Sequence, residues 1–151
     1  MKVFKGFEDL KAHLGQEIGT TEWLTITQER IDGFAENTED RFWIHTDPER
    51  AKTQSPFGST IAHGLLTLSL LPRFTYTLYT IENIKLVVNY GFNKVRFISP
   101  VPVNSKLRMK AVLTDVQPEA DGAIITTTCT FEIEGNPKPA CVAESLSRVW
   151  L

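Results

Sequence analysis

The stretch 61-IAHGLLTLSLLPRFTYTLYTI-81 decides how the rest of the chain must fold. Between Gly64 and Tyr79 it contains no acidic residue and one basic residue, Arg73. Apolar and small polar side chains therefore surround a helix axis on nearly every side, and such a helix is stable only when enclosed. At roughly 16 residues, and rich in threonine, it is too short and too polar to cross a bilayer, so protein is expected to enclose it. Pro72 is expected to kink it or to end its first half, because the ring removes a donor and collides with the preceding turn.

The wrapping follows directly. From Ile84 the pattern turns to strands: 84-IKLVVNY-90 and 93-NKVRFI-98, with Gly91 as a break between them, then 106-KLRMKAVLTDV-116. In the last of these Leu107, Met109, Ala111 and Leu113 alternate with Arg108, Lys110 and Val112, the period of a half-buried strand. The turn segments 117-QPEADG-122 and 134-EGNPKP-139 lead into 123-AIITTTCTFEIE-134 and 140-ACVAESLSRVWL-151. The expectation is an α+β protein with a long central helix laid across one face of a curved antiparallel meander. Such a sheet leaves an edge uncovered, so pairing into at least a homodimer is expected.

Upstream, 7-FEDLKAHLG-15 reads as a short helix stopped by glycine, with His13 on its surface, and 22-EWLTIT-27 as a strand. Thr27 is placed to cap a helix over 28-QERIDGFAENT-38, with Ile26 and Ile31 as a staple and Ile31, Phe34 and Ala35 on one face. Asp47 as N-cap and Pro48 at the first helical position predict another short helix. The segment 40-DRFWIHTDPERA-51 therefore begins as a loop held between two helices.

Length and composition exclude several roles. The 151 residues suit one domain spanning 1–151, and 42% hydrophobic content spread along the chain argues against long disordered segments. Sixteen basic and eighteen acidic residues give a net charge of −2 with no basic run, so nucleic acid is not an expected partner. Arg96, Lys106, Arg108 and Lys110 read either as a solvated strand face or as positive charge for a phosphorylated small molecule. The charge-interrupted N-terminus has no signal-peptide core and no segment is a membrane span, which points to a cytoplasmic protein. Cys129 and Cys141 have no metal-ligand spacing and read as buried thiols; no metal is expected.

The order of parts, with 40-DRFWIHTD-47, 56-PFGSTIAHGLL-66 and 94-KVRFISPVPVNSKL-107, resembles the MaoC-like dehydratases, hotdog-fold (R)-specific enoyl-CoA hydratases. Their motif has the form D-x-N-P-x-H-x-D, followed by A-H-G at the start of the central helix. Asp40, His45 and Gly64 fall on its positions. Phe42 and Trp43 stand where many members have Asn and Pro. The resemblance covers essentially the whole chain and implies hydration of trans-2-enoyl-CoA to (R)-3-hydroxyacyl-CoA, with no cofactor, coenzyme A entering only as part of the substrate.

That chemistry needs a base for the water, a proton for the α-carbon and a donor to the oxygen that becomes enolate-like. Asp40 and His45 sharing one water fit the first two needs. The unpaired amide of Gly64 at a helix start fits the third. By spacing alone, Asp40 also reads as a turn residue at a helix end and His45 as a packed ring. His63 is expected to be structural, hydrogen-bonding the loop before the helix. Phe42 and Trp43 are expected either to wall the water site or simply to pack the loop. Ser59 and Thr60 are candidates to line the entrance or orient a ligand, or else ordinary turn residues. Tyr90 and Asn93, beside Gly91, are candidates for facing the acyl pocket across a dimer. Two rivals remain: a hotdog acyl-CoA thioesterase, and a non-catalytic acyl-thioester-binding protein.

Overall fold

The computed structural model describes residues 1–151. In chain order the elements are β1 (Lys2–Phe4), α1 (Phe7–Lys11), β2 (Glu17–Thr20), β3 (Leu24–Thr25), α2 (Gln28–Thr38), α3 (Trp43–Thr46) and α4 (Pro48–Gln54). Then follow α5 (Gly64–Ser69), α6 (Leu71–Leu78), β4 (Tyr79–Ile81), β5 (Leu86–Phe97), β6 (Lys106–Glu119), β7 (Gly122–Ile133) and β8 (Cys141–Trp150). No helix is long and apolar enough to cross a membrane.

The apolar stretch forms two helical pieces, α5 and α6, hinged at Leu70, and not one unbroken rod. Pro72 lies in the first turn of α6, where its missing N–H leaves no bond unmade. Leu66, Leu70, Leu71, Phe74 and Leu78 point into a core that includes Leu107, Met109, Ala111, Cys129, Phe131 and Ala143 from the sheet. The rings of Phe74 and Phe131 meet with centroids 6.2 Å apart. Enclosure is one-sided: Leu65 and Tyr76 are 61% and 74% exposed, because within a single chain the sheet covers only the concave-facing stripe.

The sheet runs β2-β6-β7-β8-β5, with β3 also paired to β6. Strands β6 to β8 are the expected meander, but β5 crosses to the far edge and pairs with β8. It is one continuous strand; register shifts between Asn89 and Gly91 and between Phe92 and Lys94 show that the glycine region takes up a bulge and not a break. The crossing also separates Arg96 from the basic residues of β6, so no positive cluster forms. Arg108 instead pairs with Glu132 at 2.7 Å and stacks on Trp23 at 4.4 Å, while Lys106 meets Glu134 at 3.2 Å.

Two short strands, β1 and β4, pair in parallel, and β2 extends the main sheet. Their sequences are too short to show a period. They help close a second core of Phe4, Leu10, Ile18, Ile81, Leu113, Ile125 and Val149. His13 is half-buried here, its ring edge-on to Phe4. Cys129 and Cys141 are free, buried thiols; burial pushes them up to about 12 and about 11.

Candidate active site

Asp40 is delivered by the end of α2. Thr27 Oγ1 accepts from the Arg30 amide at the start of that helix, and Ile26 and Ile31 are both buried beneath it, so the cap and staple hold. The helix stops at Glu39, which takes the left-handed conformation (φ 62°) usually given to glycine, at a cost of about 1 kcal/mol. The chain reverses there, and the Asp40 side chain stands 54% exposed.

The expected loop is partly a single helical turn, α3, too short for any period to reveal. It carries His45. The turn is pinned at both ends: the Asp47 amide donates to the Trp43 carbonyl, and Asp47 Oδ1 accepts from the Arg50 amide to cap α4. Gln28 Nε2 donates to the His45 carbonyl at 2.7 Å, while Gln28 Oε1 accepts from the buried Thr60 hydroxyl. Gln28 was not legible as part of a site, because its meeting with Thr60 joins residues 32 positions apart.

The ring of His45 is fixed by the Ile61 carbonyl, 2.7 Å from Nδ1. A carbonyl only accepts, so Nδ1 carries the proton and Nε2 keeps its lone pair. Burial holds the His45 pKa below its ordinary 6.5, with the neighbouring His63 acting in the same direction and the Ile61 and Asp40 oxygens opposing. A neutral imidazole with a free Nε2 is the form a general base requires.

His63, only 3% exposed, precedes α5. Its Nε2 donates to the Asp40 carbonyl at 2.9 Å, as expected of a residue that binds the loop. Its ring also stacks on His45, centroids 3.8 Å apart and planes inclined by 23°. Phe34 of α2 packs against its ring at 4.9 Å. Side-chain donor atoms of Asp40, His45 and His63 all lie within 4.8 Å of one another, a span that one water bridges with two ordinary hydrogen bonds.

Gly64 opens α5, and its amide finds no acceptor in the chain. The ring of Phe97 lies so close that a Cβ on Gly64 would sit 2.9 Å from it, so glycine is required for β5 to end against this helix. Below them is a cavity of about 280 Å³ lined by His45, Ile61, Gly64, Thr67, Phe97 and Ala140 among others. His45 and Gly64 thus line one space. A second cavity of about 380 Å³ lies between α6 and the sheet, lined by Leu71, Thr75, Ile125, Thr127, Ser145 and Val149 among others.

The remaining candidates stand apart. Phe42 is 57% exposed, because α3 turns His45 inward and leaves the residue before it outside. Trp43 is half-buried, tilted against Phe42 and covered by the Arg50 guanidinium at 4.3 Å. Neither lines the 280 Å³ cavity. Ser59 donates to the Thr60 carbonyl and faces a separate groove with Lys52 and Asn104. Tyr90 is 63% exposed on the edge strand, and Asn93 donates to Glu144 across to β8; neither lines the 280 Å³ cavity of its own chain. Phe97 was not foreseen, because its place follows from that same crossing.

Comparisons with known proteins agree with this architecture. Residues 9–134 match the family described as MaoC like domain. The chain is 50% identical over 149 residues to 3-hydroxyacyl-thioester dehydratase Z of Mycobacterium tuberculosis, covering 98% of each chain. Among solved structures, the monoamine oxidase regulatory protein of Archaeoglobus fulgius superposes with a TM-score of 0.79 at 24% identity, over 99% of this chain and 95% of that one. The (R)-hydratase of A. caviae involved in PHA biosynthesis superposes with a TM-score of 0.72 at 23% identity, over 89% and 95%. The chain therefore belongs to the MaoC-like dehydratases, hydro-lyases built on the hotdog fold.

Proposed function

We propose that the protein adds water reversibly to trans-2-enoyl-CoA to give (R)-3-hydroxyacyl-CoA, without metal or redox cofactor. The observation that carries this reading is that His45, which keeps its Nε2 lone pair and lies beside Asp40, lines the same cavity as Gly64 with its unpaired amide. Asp40 and His45 hold one water. His45 takes its proton as the oxygen bonds to C3, and that proton is returned to C2, so one water is added and the dyad ends as it began. The Gly64 amide donates to the thioester oxygen while it carries enolate charge. The name of the mycobacterial relative, a 3-hydroxyacyl-thioester dehydratase, describes the reverse direction of the same equilibrium and supports the substrate class.

Replacing Asp40 or His45 by Ala is expected to lower crotonyl-CoA hydration by about 10² to 10⁴ with the fold intact. Near-wild-type turnover in either variant overturns the assignment. Release of free coenzyme A would indicate the thioesterase chemistry instead, and the configuration of the product tests the (R) assignment.

The active unit in this reading is a homodimer joined along β5. That strand presents a free outer edge with Val88, Tyr90, Phe92 and Phe97 exposed, a surface that soluble proteins ordinarily cover. Sedimentation equilibrium is expected to give twice the chain mass of 17.0 kDa; a monomer at micromolar concentration refutes it.

A further inference from the structure

We infer that His63 is a positioning residue that sets the Asp40 loop, the His45 ring and the start of α5 in register. This rests on the dyad reading above, and deepens it. Three contacts of one side chain carry the inference. Its Nε2 donates to the main-chain carbonyl of Asp40 at 2.9 Å, its flat face lies 3.8 Å from the ring centroid of His45, and its own backbone precedes the Gly64 amide. It is the residue that touches both members of the dyad while belonging to the segment that carries the third group.

The other nitrogen makes the choice of imidazole informative. Nδ1 of His63 is buried and meets no partner, an arrangement that works against stability. A Phe or Leu would fill the same space and leave no polar atom unpaired. Packing alone therefore does not account for histidine here. What only histidine supplies is a donor at the far corner of a ring that also stacks flat on His45. The Asp40 side chain has no hydrogen bond to the protein that fixes it, so its backbone anchor is what places its carboxylate, with Oδ2 4.0 Å from His63 Nε2.

The test uses three forms of the full-length protein: wild type, His63→Phe, which keeps a flat ring and loses the donor, and His63→Gln, whose amide reaches the Nε2 position. With crotonyl-CoA, His63→Phe is expected to lower kcat by about 100-fold with KM within about threefold, and His63→Gln to recover at least about tenfold of that loss. Wild-type kcat in folded His63→Phe overturns the inference. So does an equal loss in both variants that follows the folded fraction measured by circular dichroism.

If His63→Phe fails to fold, His63→Leu, which also lacks the donor, takes its place: nitrogen-15 spectra of histidine-labelled protein are expected to show broadened or multiple His45 signals in this variant and a single set, as in wild type, in His63→Gln. Unchanged His45 signals together with wild-type kcat count against positioning. Should Asp40→Ala keep its turnover, the hydratase reading falls by itself, since the spectra report the His45 geometry without any reaction.

Discussion

The core beneath α5 and α6 and the knot of residues around Asp40, His45 and His63 lie at two ends of one helix start, yet they are held by different forces. Beneath the helices, Phe74, Met109 and Phe131 are sealed from water and gain their stability from apolar burial. In the knot, Asp40 and His45 remain in contact with solvent, and position is fixed by single hydrogen bonds to main-chain carbonyls. The core tolerates exchange of one greasy shape for another of similar volume. The knot does not, because each bond there also selects a tautomer or a carboxylate position.

The comparison breaks most visibly at Phe131. Phe131→Ala removes a fully buried ring and is expected to lower unfolding stability by about 3 to 5 kcal/mol in urea, while molecules that stay folded keep their hydration rate. A rate that falls along with stability would mean the two regions are one. Gly64→Ala probes the border between them: the added methyl must displace the Phe97 ring, and turnover is expected to drop about tenfold to 100-fold with a smaller loss of stability. Unchanged turnover would show that neither the amide nor Phe97 needs its present place.

The gentlest probe is pH. In the proposed mechanism His45 is a neutral base, and burial keeps its pKa below 6.5, so kcat/KM should hold its plateau down through pH 6.5 and fall only at more acid values. The stability sign follows from linkage. Between the folded value and 6.5 the unfolded chain binds the extra proton, so this group's contribution is full above 6.5 and is lost as pH falls through the folded value. An acid limb centred above pH 6.5 contradicts the assignment of His45.

Much of the core was legible from periodicity alone. Leu107, Met109, Ala111 and Leu113 alternate and are all buried, and Thr27, Ile26 and Ile31 mark the start of α2 as expected. Asp40, His45 and Gly64 could be picked out by motif, and the chain does bring them together. What stayed hidden depends on where β5 goes. Strand patterns give no partner, so the crossing to β8 and the arrival of Phe97 at Gly64 were out of reach. Gln28 escaped for a related reason: a polar side chain in a cap or turn looks alike whether it faces water or anchors a distant carbonyl.

The pairing of β5 with β8 also orders events during synthesis. Leu86 faces Trp150 and Phe97 faces Cys141, so the strand that supplies one wall of the cavity has no partner within the sheet until the last strand of the chain exists. A growing chain already holds both members of the dyad long before that wall is available. Closing so large a loop costs entropy, and the Phe97 wall of the pocket at Gly64 cannot take its place in the sheet before β8 has been made.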